Sequence, residues 1–144
     1  MNLIWKLMMR AWIRVYRLSR GRFGSSFGWM GGPMEALLLT TTGRKSGRRR
    51  TVFLGYLVDG DRFVVVGSNS GLPTDPAWVT NIRAQPRVTI QVRDRVAEAI
   101  GSIAGPSDRA RLWPELMRRA PGYARYETMT SREIPLVILT PAGV

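Results

Sequence analysis

A short basic loop between two apolar runs constrains the fold of this chain more than any other segment. An apolar, threonine-rich run over residues 36–42 stops at Gly43, and five arginine and lysine side chains then fall within residues 44–50. A second apolar run begins at residue 51. Because such runs favour strands, the pattern predicts a tight loop between two strands, with cations that converge on one spot. The alternative is a basic hairpin that is merely solvated.

The loop has the composition of an anion-binding site. Gly43 and Gly47 allow positive φ angles and a close approach of the backbone to a ligand. Cationic side chains beside such a backbone suit a phosphate or a chain of carboxylates. The formal net charge of +12 over 144 residues also favours an anionic partner, which could be a nucleotide-like cofactor, a nucleic acid or an acidic membrane.

The composition excludes several kinds of catalytic chemistry. The chain contains neither cysteine nor histidine, so thiol catalysis, disulfides, a serine–histidine–aspartate triad and nearly all zinc or haem ligation are excluded. Its ten carboxylates are scattered, and no metal site is expected. An enzyme with these side chains would take its chemistry from an organic cofactor.

Residues 1–20 predict an amphipathic helix. Apolar and aromatic side chains, including two tryptophans, recur at three- and four-residue steps. Cationic side chains lie on the opposite side of the helix. This pattern is typical of a segment that lies in a membrane interface, and its charges are too frequent for a bilayer span. The alternative is a helix that packs on its own domain with the basic side in water. The glycine-rich residues 21–35 predict a mobile connector, and residues 36–144 predict the folded domain.

The rest of the chain predicts strands with intervening helices. Six strands are expected, at residues 36–42, 51–58, 62–68, 87–93, 95–103 and 134–140. Asp59-Gly60 is a strong hairpin signal between the second and third strands. One helix is expected with Asp75 as N-cap and Pro76 at its first position, ending before Pro86, and another over residues 107–119. Six antiparallel strands with helices favour an α+β fold built on a small barrel, with the basic loop at its rim.

Two further segments suit a flat ligand. Gly67-Ser68-Asn69 follows a strand end with small side chains that would let a ring lie against the backbone, although these residues taken alone favour an ordinary turn into the next helix. The helix that begins near Asp75 would offer its first N–H groups to an anion or a ring carbonyl. Trp78, in the first turn of that helix, is equally consistent with a core position and with a ligand contact.

Three motifs in this order resemble the deazaflavin (coenzyme F420)-dependent nitroreductase family of actinobacteria. They are Thr-Thr-Thr-Gly-Arg-Lys-Ser-Gly-x-x-Arg over 40–50, Gly-Ser-Asn over 67–69 and Asp-Pro-Ala-Trp-Val-Thr-Asn over 75–81, and the resemblance covers roughly residues 5–141. It implies a six-stranded antiparallel split β-barrel, similar to FMN-binding barrels, with flanking helices and an N-terminal amphipathic helix. The coenzyme has a flat tricyclic ring and a tail with a phosphodiester and glutamates, which suits the basic loop.

The resemblance also implies an activity and a set of site residues. It implies an oxidoreductase that transfers a hydride from F420H2 to a quinone, a nitroaromatic or an activated alkene. Ser68, Tyr123 and Tyr126 would border the substrate, and Ala120 replaces the first of three family tyrosines, which puts nitroimidazole reduction in doubt. The implied cofactor-binding residues are Arg44, Lys45, Ser46, Arg50, Thr51, Val66, Gly67, Ser68, Asn69, Ala77, Trp78, Val79, Thr80 and Asn81.

The resemblance further implies a cytoplasmic protein, expected to be a monomer. Residues 1–20 would attach it peripherally to the anionic inner face of the cell membrane, which suits a lipid-soluble quinone. One alternative is an FMN-binding split-barrel protein, although five cations exceed what a single phosphate requires. Another is a basic nucleic-acid-binding module, which the isoelectric point near 11.5 favours. The basic residues are divided between the N-terminal helix and one loop, however, and no aromatic strand face for stacking bases is evident.

Overall fold

The computed structural model describes residues 3–22, 26–29 and 32–142. Within them the chain forms four α-helices and eight strands. The helices are α1 (Leu3–Leu18), α2 (Ala77–Ala84), α3 (Pro106–Arg119) and α4 (Tyr123–Met129). The strands are β1 (Ser26–Trp29), β2 (Gly32–Thr42), β3 (Arg49–Gly55), β4 (Leu57–Asp59), β5 (Arg62–Val66), β6 (Arg87–Val92), β7 (Arg95–Ile103) and β8 (Leu136–Pro141).

The strands form one antiparallel sheet that curls into a half-barrel. Its order is β1-β2-β6-β7-β8-β5-β4, and β3 pairs with the other edge of β2. Only Tyr56 separates β3 from β4, although these two strands lie at opposite ends of the sheet order. The chain therefore draws the two ends of the sheet together and curls it. The predicted α+β antiparallel barrel is confirmed, and so is the hairpin at Asp59-Gly60, which joins β4 to β5.

The sequence prediction differs from the structure in its element count. The expected strand over 51–58 is divided into β3 and β4 at Tyr56. The connector expected over 21–35 lies partly outside the described residues, and its described part contains β1 and the start of β2. Pairing between these two strands overrides the weak strand propensity of glycine. Helix α4 was not predicted, because a seven-residue helix depends on tertiary packing and leaves little periodic signal.

The start of α2 corrects one predicted cap. Asp75 was expected at the N-cap with Pro76 inside the helix, but Pro76 is itself the N-cap and the helix begins at Ala77. The Asp75 carboxylate instead accepts hydrogen bonds from Arg132, at 2.9 Å, and Arg83, at 3.3 Å. Two charge-assisted contacts therefore replace the expected cap hydrogen bond.

Helix α2 closes one end of the barrel. Trp78, Val79 and Ile82 pack into the main core with inward-facing strand residues such as Leu39 and Val137. A second core cluster lies between the sheet and helices α3 and α4. The two clusters together account for most of the large buried side chains, and they place α2 against the ends of β2 and β5.

Helix α1 docks on the outer face of β2 and β3 through its last turns. Tyr16 is fully buried, and its hydroxyl donates to the Ala36 carbonyl at 2.9 Å and accepts from the Arg93 amide at 2.8 Å. Phe53 packs edge-to-face against both Trp12 and Tyr16, with ring centroids 6.1 Å apart in each pair. Burial raises the pKa of the Tyr16 phenol, which keeps the donor protonated. The expected helix over 1–20 is therefore packed on its domain along one face.

Candidate cofactor and substrate site

The basic loop between β2 and β3 is a tight, internally hydrogen-bonded turn. The Gly47 amide donates to the Gly43 carbonyl, and the Gly43 amide donates to the Arg48 carbonyl, both at 2.8 Å. The Ser46 hydroxyl accepts from the Arg48 amide at 3.1 Å. Gly47 has a φ of +69°, and a Cβ at Gly43 would lie 2.6 Å from Ser46 Oγ. The positive φ favours glycine at position 47, and a side chain at position 43 would require Ser46 Oγ to move.

The cations of this loop have no carboxylate partner within the described part of the chain. Every one of these side chains is exposed, and none comes within 4.0 Å of a carboxylate oxygen; they are Arg44, Lys45, Arg48, Arg49 and Arg50. Elsewhere the acidic residues neutralise other arginines, as Asp59 does for Arg62 and Arg111. An anionic ligand at the loop would thus meet positive charge that the protein itself does not compensate.

Helix α2 anchors the loop through a buried amide. Asn81 is 5% exposed, its Oδ1 accepts from the Arg44 amide at 3.1 Å, and its Nδ2 donates to Thr41 Oγ1 at 3.1 Å. Arg44 Nη1 also donates to Thr80 Oγ1 at 3.0 Å. Asn81 and Thr80 are both predicted site residues. Asn81 holds the basic loop and β2 together, and Thr80 orients the side chain of Arg44.

An open groove of about 590 Å³ runs beside this anchor. Its lining includes Arg44, Thr80 and Arg132 together with the carboxylates of Asp75 and Glu133. Of the first turn of α2, Ala77 is exposed, whereas Trp78 and Val79 are buried. The volume lies in the range of sites for cofactors and small ligands, typically about 300–1,000 Å³.

The second motif lies at the end of β5, on the other side of α2. Ser68 is half-buried, and it precedes a turn in which Asn69 and Ser70 have φ angles of +46° and +56°. Asn69 Nδ2 donates to the Thr74 carbonyl at 3.0 Å and helps to hold this turn. A Cβ at Gly67 would lie 2.8 Å from Val79 Cγ2, so the strand end lies directly on α2. The three motifs recognised in the sequence therefore meet around one short helix.

The predicted residues of β3 do not share one face. Thr41 pairs with Arg50, and Thr40 pairs with Thr51. Successive residues of a strand point to opposite faces, and Thr41 points to Asn81. Arg50 therefore projects on the α2 side, whereas the Thr51 hydroxyl lies 2.8 Å from that of Thr40 on the α1 side.

On the α1 side, two arginines make hydrogen bonds to threonines of the sheet. Arg17 Nη2 of α1 donates to Thr51 Oγ1 at 3.3 Å. Arg49 donates to Thr42 Oγ1 at 2.9 Å and to Thr89 Oγ1 at 2.6 Å. The contact from Arg17 was missed by the sequence analysis, because nothing local indicates that a helix residue reaches a strand thirty-four positions away.

Several predicted contact residues have their side chains in the core. Val66, Trp78 and Val79 are buried, so a ligand could reach only their backbone atoms, whereas Ala77 is exposed. For Trp78 the structure thus supports the core position that the sequence left open.

The late tyrosines lie on α4. Tyr123 is 3% exposed and packs in the core cluster beneath α3 and α4, and Tyr126 is half-buried with its ring centroid 6.3 Å from that of Tyr123. Ala120 is fully buried in the same cluster. On the far end of α4, a Cβ at Gly71 would lie 3.0 Å from Met129 Cβ, which places the helix against the turn that follows Ser68.

Arg132 is a site residue that the sequence analysis missed. It lines the groove and contacts the Ser68 turn, but it occurs in a polar loop with no motif around it. A lone arginine among polar residues carries no signal that distinguishes it from a solvated surface residue.

The fold and the site define an antiparallel split-barrel protein with a loop of uncompensated cations between β2 and β3. Residues 8–141 match the family described as F420H(2)-dependent quinone reductase, and this chain belongs to that family. It is similar to an F420H(2)-dependent quinone reductase of Mycobacterium tuberculosis, with 37% identity over 136 residues, covering 92% of this chain and 89% of the relative.

Solved structures show the same similarity. One, described as an F420-H2 dependent reductase, has a TM-score of 0.66 at 34% identity and covers 72% of this chain and 92% of that chain. Another, described as a domain-swapped dimer, has a TM-score of 0.67 at 34% identity and covers 72% of this chain and 78% of that chain. These likenesses agree with the resemblance drawn from the three motifs.

The Asn81 anchor leads to a prediction about loop order. In Asn81→Ala the Arg44 amide loses its acceptor and buried Thr41 loses a donor, so we expect a loss of about 1–3 kcal/mol in the free energy of unfolding. We also expect faster hydrogen exchange of the Arg44 amide. Gln91→Ala, which removes another buried amide, is the matched control and should leave that exchange unchanged. Denaturant titration measures the free energy of unfolding, and NMR measures the hydrogen exchange of the Arg44 amide. If that amide exchanges at the same rate in Asn81→Ala and in wild type, Asn81 does not anchor the loop.

Proposed function

We propose that this chain transfers a hydride from F420H2 to a quinone. The observation that carries the proposal is the loop of uncompensated cations, which α2 holds beside the Ser68 strand end. Membership of the F420H(2)-dependent quinone reductase family supports both the cofactor and the acceptor class. FMN would use only part of the loop, because it has a single phosphate.

The chain's own residues would bind and orient the cofactor. Arg44, Lys45 and Arg50 are the cations proposed for its phosphodiester and glutamates, and Ser46 adds a hydroxyl donor beside them. Gly67 and Asn69 are proposed to lie along the ring, with Ala77 and Thr80 on the opposite wall. The bound deazaflavin supplies the hydride, which accounts for an oxidoreductase without histidine or cysteine.

Ser68 is the donor that the geometry favours for the acceptor. A hydroxyl can stabilise the negative charge that grows on a quinone oxygen as the hydride arrives. Ser68 is half-buried at the end of β5, directly after Gly67, which packs against Val79 of α2. Tyr123 and Tyr126 remain proposed substrate-site residues, although the burial of Tyr123 supports a packing role for its ring.

We also propose that α1 attaches the protein to a membrane surface. One wide apolar surface runs along this helix: Tyr16 marks its docked part, while Met8 and Val15 beside it are 58% and 43% exposed. The cations Lys6, Arg10 and Arg14 lie on the opposite side and suit anionic lipid headgroups. In the described residues no helix has the length and apolar character needed to cross a bilayer. The proposed location is therefore the inner surface of the cell membrane, where lipid-soluble quinones are available.

The oligomeric state stays a prediction. A monomer is expected from the sequence, and one similar structure is described as a domain-swapped dimer. Light scattering coupled to size exclusion decides between the two.

The first prediction of this proposal concerns the cofactor. F420 should bind more tightly than FMN, and Lys45→Ala should weaken F420 binding on the order of tenfold or more, because a charge-assisted hydrogen bond is lost. The salt dependence of binding should also become shallower. Arg95→Ala removes the same charge from the opposite end of the barrel and should change the affinity by less than about twofold. Fluorescence titration measures these affinities, and equal or tighter FMN binding at the same salt would refute the cofactor assignment.

The second prediction concerns the acceptor. Ser68→Ala should lower kcat with a water-soluble quinone by about 10²-fold while leaving F420H2 affinity nearly unchanged, because its hydroxyl acts in the transition state. Ser70→Ala changes an exposed serine two residues further along the same turn and should leave kcat unchanged.

Steady-state kinetics of Tyr123→Phe test the tyrosine in the same assay. A fall in kcat places its hydroxyl in the site, and unchanged kcat and KM assign it to packing.

The third prediction concerns the membrane. Wild type should co-sediment with phosphatidylglycerol vesicles, and Met8→Glu with Val15→Glu should reduce binding on the order of tenfold or more, because two apolar contacts become anionic. Activity toward a water-soluble quinone should persist, since Tyr16 still docks the helix. Val58→Glu with Val96→Glu changes two exposed valines that lie on strands rather than on α1 and is the control. The proposal fails if wild type ignores the vesicles or if both double variants lose binding equally.

A further inference from the structure

We infer that Arg132 is a positioning residue for hydride transfer, because it fixes the turn that carries Ser68. This inference rests on the proposed function for its link to turnover. Its structural part, the immobilisation of residues 67–75, rests on the contacts of Arg132 alone. The residue lies between α4 and β8, outside all three motifs that identify the site.

The Arg132 guanidinium binds both ends of the turn. Its Nη2 donates to the Ser68 carbonyl at 2.8 Å, and its Nη1 donates to the Gly67 carbonyl at 3.3 Å. Its Nε donates to the Leu72 carbonyl at 3.0 Å. Because the carbonyl of Ser68 is held, the Ser68 backbone is held too, and the place of the hydroxyl then depends on one side-chain torsion.

The same guanidinium joins this turn to the entrance of α2. Its Nη1 lies 2.9 Å from Asp75 Oδ1, and Asp75 also accepts from Arg83 of α2. The side chains of Arg132 and Asp75 are only 16% and 20% exposed, so their ion pair is partly shielded from water. Arg132 thus connects the strand-end turn to the helix that anchors the basic loop.

The turn requires such support. Asn69 and Ser70 both have positive φ angles, and such backbone persists only where its surroundings hold it in place. The Gly71 amide donates to the Ser68 carbonyl at 2.9 Å, but this bond lies within the turn itself. Arg132 supplies the hydrogen bonds from outside. A lysine could keep the charge but not the planar fork that reaches several acceptors at once.

The Asp75 carboxylate distinguishes the role of Arg132 from that of the loop cations. Asp75 compensates much of the charge of Arg132, whereas Arg44 across the groove has no such partner in the described residues. We therefore assign to Arg132 an effect on geometry and turnover, and to the loop cations an effect on cofactor affinity.

Kinetics and hydrogen exchange of Arg132→Lys and Arg132→Met test the inference. With F420H2 and a water-soluble quinone, both variants should lose about tenfold or more in kcat, while the F420 dissociation constant changes by less than about threefold. The Gly71 and Leu72 amides should exchange faster in both. Arg111→Met is the matched control, because it removes an arginine with three carboxylate hydrogen bonds at the other end of β5 and should alter neither readout.

Each outcome separates this inference from the proposed function. If wild type fails to turn over with F420H2 but the turn amides still exchange faster in the variants, the proposed function fails and the positioning of the turn stands. If Arg132→Lys keeps both kcat and wild-type exchange, the inference is overturned. A loss of F420 affinity equal to the loss of kcat would also overturn it, since Arg132 would then be a binding residue.

Discussion

A single buried amide, that of Asn81, joins the parts of this protein that must act together. It receives the backbone N–H of the basic loop and donates to a buried threonine of β2. The turn of α2 that carries Asn81 also carries Thr80, which orients Arg44, and Val79, which packs against Gly67. A displaced α2 would therefore release the loop and the Ser68 strand end at the same time. Helix α2 is therefore a shared support for the two segments proposed to bind the cofactor tail and the acceptor.

The distribution of carboxylates makes this arrangement effective. The hydrogen bonds from Arg111 and Arg62 lower the pKa of Asp59 to about 2. The hydrogen bond from Arg93 is the main cause of the lowered pKa of Glu35. Both acids stabilise the fold above their unfolded pKa values, and that contribution is lost as the pH falls through the folded values. The acidic residues thus support the far hairpin and the docked helix, and they leave the rim loop positive for an anionic ligand.

Helix α1 shows how one segment can satisfy two interpretations. The sequence left open whether it packs on the domain or lies on a membrane. Its docked face, through Tyr16 and the aromatic contacts with Phe53, accounts for packing, while the exposed face around Met8 and Val15 leaves an apolar stripe free. The proposed membrane contact would use apolar residues that the docking contact leaves exposed. A reductase of lipid-soluble quinones would gain access to its substrate from such an arrangement.

The sequence by itself determined the local features. Alternating apolar runs predicted the antiparallel barrel, the Asp59-Gly60 signal predicted its hairpin, and the basic loop with two glycines predicted the anion site. These features depend on short-range periodicity and turn chemistry, which can be recognised from neighbouring residues. The motifs also identified the family.

Only the tertiary structure decided how these pieces meet. Strand register placed Thr51 under α1 and Arg50 on the groove side, although the two are adjacent in sequence. Long-range hydrogen bonds made Asn81 an anchor and Arg132 a support of the Ser68 turn, and packing placed Trp78 and Tyr123 in the core. The physical reason is that each of these roles depends on partners 37 to 65 positions away in the chain, or on which face of an element is buried. The type of a residue specifies neither its distant partners nor the face on which it is buried.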